Sequence, residues 1–457
     1  NQIVRANNRD RSGINGEFLC IKGRYAFDFN NHPDRLQSPL MRVGSQFEPI
    51  SWAQALEIVS KKFQEVRERN GKFGIIGSNH TTNEENYYLQ KFARQGLGTN
   101  NIDHRRTGDV VSLIDALSGA SGKLAQFSDL YSTKAALVIS SDLSQQHPLL
   151  AFQLRANYRH HQMKMYAVTP GPVREDKYAA RSIRVEPGGE LQAVESLRDE
   201  LKANGELLVI FGDAIKGEGV RKLVSFGESL GIPVKYLALV DYSNSRGALD
   251  MGMVPELLPG YRPASENGLE PGLNMNEMLA APDLDVLWVV GENPLENRAP
   301  ASDRTFIVVQ DMFLTETAQY ASIVLPSASA YEKTGTVTNV TGEVQRLKRG
   351  PKTMGAKPDL EIFGLIAKGM GLNLGTWTPD AVFEEIRQTV RGYNVPLPVI
   401  ATGGAAQTAP VNGRVPVQVR PELIRSAGDT LYTSGSLGRY SKTLSAVVEA
   451  PGALYKP

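Results

Sequence analysis

The feature that most constrains this chain is a series of short, almost unbroken apolar runs, each the length of one β-strand and each separated from the next by helix-patterned sequence. Ala135-Ala136-Leu137-Val138-Ile139, Leu207-Leu208-Val209-Ile210-Phe211 and Val286-Leu287-Trp288-Val289-Val290 are the clearest. Residues 74–78, 164–169, 233–237 and 305–311 follow the same pattern. A sheet with one face in water would alternate polar and apolar residues. Strands apolar on both faces belong to parallel sheets covered by helices on each side. Several runs exit into Gly, Ser or Asp, the chemistry found at the carboxyl end of a strand in an open α/β sheet. At 457 residues the chain exceeds a single core, so two Rossmann-like sheets are expected.

Two helices bracket the first strand. Ser51-Trp52-Ala53-Gln54 places Ser51 in the cap position, and Ala55, Ile58, Val59, Phe63 and Val66 recur at helical spacing. Residues 82–97 read as a second helix with Tyr87, Tyr88, Leu89, Phe92 and Ala93 inward. Residues 1–50 read as irregular, 240–283 as a long loop excursion, and 391–420 as a linker leading to short strands. The opening at Asn1 reads as the middle of a domain, which makes a fragment or a processed product the expectation, and residues 1–11 are too polar for a signal peptide.

Several function classes are excluded by what the chain lacks. A net charge of +1 gives no general pull toward nucleic acid or acidic lipid. No apolar run approaches membrane-spanning length. The single cysteine, Cys20, rules out an internal disulfide framework and a self-contained cysteine metal site. No GxGxxG follows a strand, and neither GxxxxGK[ST] nor HExxH occurs. His160-His161 are adjacent and cannot share a helix face, so they read as a solvated pair. His147, before Pro148, reads equally as a structural cap or a site residue.

A distributed constellation carries more. Phe18-Leu19-Cys20-Ile21-Lys22-Gly23-Arg24 is followed by Arg35-Leu36-Gln37-Ser38-Pro39-Leu40, then by Gly98-Thr99-Asn100-Asn101-Ile102-Asp103. Later come Gly291-Glu292-Asn293-Pro294, Thr315-Glu316-Thr317-Ala318, Tyr331-Glu332-Lys333-Thr334-Gly335-Thr336 and Asn339-Val340-Thr341-Gly342-Glu343-Val344-Gln345. In this order and spacing the chain resembles the large subunits of the molybdopterin oxidoreductase family. These include formate dehydrogenases, periplasmic nitrate reductases and the G subunit of respiratory NADH:quinone oxidoreductase (complex I), which it resembles most.

The resemblance implies an α/β, formate dehydrogenase/DMSO reductase-like fold with two Rossmann-like parallel-sheet domains. Residues 1–50 would be a partial [4Fe–4S]-type domain, and 51–107 with 284–390 a discontinuous α/β domain. Residues 108–283 would be an inserted Rossmann-like domain, and 391–457 a truncated remnant of the carboxyl-terminal β domain, in which 431–441 resembles part of the family's segment. Cys20 matches the last of four cluster cysteines, so a [4Fe–4S] cluster would be shared with residues upstream of this chain; the other reading is a leftover free thiol. Lys22 matches a lysine between cluster and pterin, or is a solvated loop lysine.

The family's molybdenum donor lies shortly after Gly-Thr-Asn-Asn-x-Asp, where this chain reads His104-Arg105-Arg106-Thr107-Gly108-Asp109. No cysteine stands there, and Asp109 reads as the cap of the following helix. Asn293, Thr315, Glu316, Asn339 and Glu343 would line a vestigial pterin crevice, with Thr315 capping a helix and Glu316 in its first turn. The resemblance thus implies a non-catalytic region of the complex I protein in the peripheral arm that carries electrons from NADH to quinone. Its partners would be other arm subunits, its place the cytoplasmic face of the cell membrane, and its molybdopterin absent. The alternative is an active molybdopterin enzyme, of formate dehydrogenase or nitrate reductase type, with Asp109 as metal ligand.

Overall fold

The structure, a computed structural model, describes residues 2–8, 14, 15, 18–351, 355–410, 415, 420, 423 and 438–449. Two large sheets organise them. The first has seven strands in the order Gln46–Pro49, Leu40–Val43, Ile323–Pro326, Phe306–Asp311, Val286–Val290, Phe73–Ile76 and Ile102–Asp103. Its last five run parallel, and Leu40–Val43 joins antiparallel through Leu40↔Val324 and Met41↔Ile323. The chain therefore enters this sheet at residue 40, before the helix that opens at Ser51. The second sheet is parallel throughout, in the order Lys123–Leu124, Val234–Ala238, Leu207–Phe211, Ala135–Ile139, Lys164–Thr169 and Arg181–Arg184.

The apolar runs occupy the centres of these sheets. Every residue of Val286–Val290, Ala135–Ile139 and Leu207–Phe211 is buried. In the first sheet, Trp288 gathers the helices on one face. Its ring meets Phe63, Phe92 and Phe363 edge-on, with centroids 5.3, 5.2 and 5.4 Å away. Its indole N–H donates to Gln310 Oε1 at 2.9 Å, so no polar atom of the buried ring is left unpaired.

Helix Trp52–Glu68 starts at a capping box between Ser51 and Gln54, and helix Asn83–Lys91 at one between Thr82 and Glu85. The sequence predicts that the second helix runs to residue 97. It is α-helical to Lys91 and continues as a π turn over Phe92–Gly96, keeping Phe92 and Ala93 in the core.

Residues 240–283, expected to be a loop excursion, are folded tightly. Helices Ser245–Asp250 and Met275–Ala280 lie within them, and Leu249, Met251, Met253, Val254 and Leu257 are almost wholly buried. Six-residue helices are too short to show a period in sequence. The buried Arg94 guanidinium donates to the carbonyls of Gly252, Val254 and Leu257 at 2.9, 2.8 and 2.7 Å. Backbone that would otherwise need water is thereby satisfied inside the protein.

A three-stranded antiparallel sheet joins Gly335–Thr338, Glu343–Leu347 and Ala405–Gln407. The short helix Leu397–Ala401 precedes its last strand. Most of 411–437, including 431–437 of the expected β-domain remnant, lies outside the described residues. Helix Lys442–Glu449 lies against the amino-terminal turns Ile21–Tyr25 and Ala26–Asn31. No helix among the described residues is long and apolar enough to cross a membrane.

Replacing Trp288 by Ala removes the ring shared by three helices and orphans a side-chain acceptor. Chemical unfolding should show a loss of about 3–5 kcal/mol.

Candidate functional site

The carboxyl ends of strands from both sheets open on one cavity of about 630 Å³. The first sheet contributes Ser78 after Phe73–Ile76, Gly291 after Val286–Val290, Asp311 at the end of its own strand, and Ser327 after Ile323–Pro326. The second contributes Val240 and Asp241 beyond Val234–Ala238, and His147 beyond Ala135–Ile139. A crevice at such strand ends is where open α/β sheets bind ligands. Gly291 turns there with φ +62°, and a Cβ on it would sit 3.2 Å from Ser78. Ser78 Oγ donates to the Gly291 carbonyl at 2.7 Å, tying two strand ends together.

The amino-terminal turns close one side. Cys20 and Lys22 line the cavity, and Cys20 caps its helix, its Sγ accepting from Gly23 N at 3.5 Å. Gly438 and Leu444 line it from the carboxyl-terminal segment. There Tyr440 stacks on Phe313 at 3.6 Å, and Arg439 forks onto both oxygens of Glu316 at 2.7 and 3.1 Å. That fork, with a hydrogen bond from Asn293, holds the Glu316 carboxyl at about 2, below the usual range.

Of the residues singled out in the sequence, Cys20, Lys22, His147 and Asn339 meet at the cavity. Asn339 also accepts from the backbone N–H groups of Thr341 and Glu343, shaping the turn between two strands. Asn293, Thr315, Glu316 and Glu343 are not among the lining residues. Asn293 receives the backbone and hydroxyl of Thr317 and donates to Glu316. Thr315 Oγ accepts from Ala318 N at 3.3 Å, but it opens only the 3-10 turn Ala318–Tyr320, not a full helix. Glu343 accepts from Phe127 N at 3.3 Å and from the Thr341 hydroxyl.

Sequence reasoning missed Asp241, Asp311 and Lys333 as lining residues. Their one sequence signal was position: Asp241 and Asp311 sit at or just beyond strand carboxyl ends.

Asp109 stands apart from the cavity. One carboxylate oxygen caps helix Val110–Ala116 by accepting from Ser112 N at 3.0 Å. The other accepts from Gly217 N at 2.7 Å, fastening a loop of the second sheet's domain. Both oxygens of this 6% exposed side chain are thus engaged by backbone donors. The residue at the expected donor position therefore does not fit a molybdenum ligand. Cys20 is the single thiol of the sequence, whereas a [4Fe–4S] cluster typically takes four thiolates. Among the described residues no group of three or more His, Cys, Asp or Glu is arranged to hold a metal ion.

In the same segment, His104 is buried, with its Nδ1 2.7 Å from the Met253 carbonyl and no partner at Nε2 among the described residues. Burial, more than any neighbour, pushes its pKa down to about 4.

Two outcomes follow. Asp109→Ala should lose about 1 kcal/mol for the cap and about 1–3 kcal/mol more for the orphaned Gly217 N–H, read by chemical unfolding. Asp109→Asn, still a good cap, should lose less. For His104 the folded pKa of about 4 lies below the unfolded value near 6.5, so on acidification the unfolded chain takes the proton first. Stability should fall as pH drops through that interval, and His104→Gln should flatten the fall.

Comparison with known proteins agrees with this architecture. The family profile for molybdopterin oxidoreductases matches residues 35–369, most of the chain. The second G-type chain of NADH-quinone oxidoreductase from Rhizobium meliloti (strain 1021) is 27% identical over 98% of this chain and 62% of its own length. An F420-dependent formate dehydrogenase 1 alpha subunit from Methanococcus maripaludis is 28% identical over 86% of this chain and 70% of its own length. A putative formate dehydrogenase from Bacillus subtilis, 28% identical over 82% of this chain, is spanned over only 47% of its length. Among solved structures, acetylene hydratase from Pelobacter acetylenicus superposes with a TM-score of 0.61 over 98% of this chain and 76% of its own, at 15% identity, a likeness of fold alone. On the profile match, this chain belongs to the molybdopterin oxidoreductase family of oxidoreductases.

Proposed function

We propose that this chain is a region of the G subunit of an NADH:quinone oxidoreductase, in the peripheral arm, with the molybdopterin fold kept and molybdenum catalysis lost. The observation that carries this reading is the commitment of Asp109. Its two oxygens hold a helix cap and a neighbouring loop, away from the cavity, so a metal would compete there with backbone donors. The Rhizobium meliloti relative, whose match extends over 98% of this chain, carries the name of that component, which supports the same reading.

In this role the chain's residues shape and pack the arm, and its partners are the arm's other subunits at the cytoplasmic face of the cell membrane. Cys20 would supply one thiolate to a [4Fe–4S] cluster whose other ligands lie outside these 457 residues. Lys22, two residues on and facing the cavity, would place a positive charge near it.

A second reading has its own support. Formate dehydrogenase relatives match at similar identity, and a ligand-sized cavity persists at the strand ends. It requires Asp109 to leave its present partners and turn to a metal.

Metal and pterin analysis of the intact, full-length protein separates the two. The scaffold reading expects neither molybdenum nor tungsten above trace, and no extractable pterin. Stoichiometric metal with pterin would overturn it.

A further inference from the structure

One wall of the cavity carries more carboxyls than cations. Lys333 donates to Glu85 Oε2 at 2.7 Å and to Asp359 Oδ2 at 3.2 Å, and all three side chains are at most 4% exposed. Two carboxylates therefore share one ammonium. Asp311, 5% exposed, lines the same cavity as Lys333 and Asp359.

Asp311 is linked to Asp359 through its neighbours. Gln310 Nε2 donates to Asp359 Oδ1 at 3.0 Å. Ser327 donates its hydroxyl to the same oxygen at 2.7 Å and its backbone N–H to the Asp311 carbonyl at 3.0 Å. Among the described residues the Asp311 carboxylate itself receives only backbone N–H groups, from Met312 at 2.6 Å and Phe313 at 3.3 Å. Asp311 thus has no ion-pair partner among the described residues, beside a site where two buried carboxylates already share one ammonium.

The surrounding charges do not redress the count. Arg35 is paired with Glu332 at 2.9 Å, Arg105 with Glu292 at 3.0 Å and Arg439 with Glu316. Glu84, next to Glu85, is buried and receives the N–H of Thr336 at 2.8 Å and its hydroxyl at 2.9 Å, with no cationic partner among the described residues. Tyr331 and Tyr440 are neutral neighbours. Lys22, His80, and His147 with its partner Asp241 at 3.5 Å, line the cavity as well. A buried charge without a counter-charge keeps its proton instead.

We propose that Asp311 holds an exchangeable proton at the cavity wall, bound or released as the charge of the cavity's occupant changes. An anionic guest would draw the proton in, and a cationic guest beside Asp311 would expel it. Burial is the largest cause that pushes both Asp311 and Glu84 up to about 7, so the geometry and the protonation agree. The same wall is present under either redox reading, so a metal assay that overturned the scaffold role would leave this proton in place.

The test is infrared pH-difference spectroscopy on the intact chain, following the carbonyl stretch of protonated carboxyls. In Glu84→Gln, which removes the other carboxyl pushed up to about 7, the expected result is a band that titrates near pH 7 and disappears when Asp311→Asn is added. Isotope labelling keeps the test open if Asp311→Asn does not fold. Carboxyl-labelled aspartate in the Glu84→Gln chain should shift the band, and labelled glutamate should not. A band absent near neutral pH overturns the proposal. In the Glu84→Gln chain, so does a band that survives Asp311→Asn or one that shifts with labelled glutamate.

Discussion

The buried ammonium of Lys333 is the contact on which much of the site depends. It joins Glu85, in the first turn of helix Asn83–Lys91, to Asp359, which opens helix Asp359–Gly369. It lies two residues before the strand Gly335–Thr338. Helix, helix and hairpin are thereby fixed around one point at the cavity wall. Breaking such a pair from one side leaves an uncompensated buried charge, which costs more than the pair contributes. The neighbouring Glu84 holds the backbone N–H of Thr336, so the hairpin's first strand is fastened twice.

Arg94 plays the corresponding part just beyond the far end of the same helix. Its donors reach three carbonyls of the 240–283 segment and the side chains of Gln90 and Asn100. Asn244, at the start of that segment's first helix, donates to the Thr81 carbonyl and accepts from Thr338 N. The protein's own side chains thus hold the loops around the cavity. Asp109 continues the pattern at the second sheet. In the stretch where the resemblance leads one to expect a metal donor, its carboxylate staples backbone to backbone.

Much of the fold was legible because its strands are buried on both faces. Val286–Val290 and Ala135–Ile139 could hardly read as anything else. The edge hairpin Leu40–Val43 and Gln46–Pro49 was not, since four-residue, half-exposed strands carry no distinctive pattern. The 240–283 segment misled for another reason. Its Gly, Asn and Pro content looks like loop, yet its order comes from Arg94, 158 residues distant in the chain for the Gly252 contact.

The site divided the same way. Cys20, Lys22 and Asn339 could be placed by motif order. Asn293, Thr315 and Glu316 belong to a motif too, but Asn293 and Glu316 bond each other, Thr317 and Arg439, and Thr315 caps its own turn, none of them lining the cavity. Lys333 sat within a quoted motif without a role, because nothing local says that its partners are 248 residues before it and 26 after.

The central claim is that side-chain and backbone contacts alone sustain this fold around its crevice, without a molybdenum cofactor. The most direct measurement is chemical unfolding of the full-length protein made in two hosts, one normal and one unable to synthesise molybdopterin. The account predicts superimposable unfolding curves and equal assembly with partner subunits. Loss of stability or failure to fold in the pterin-deficient host would contradict it.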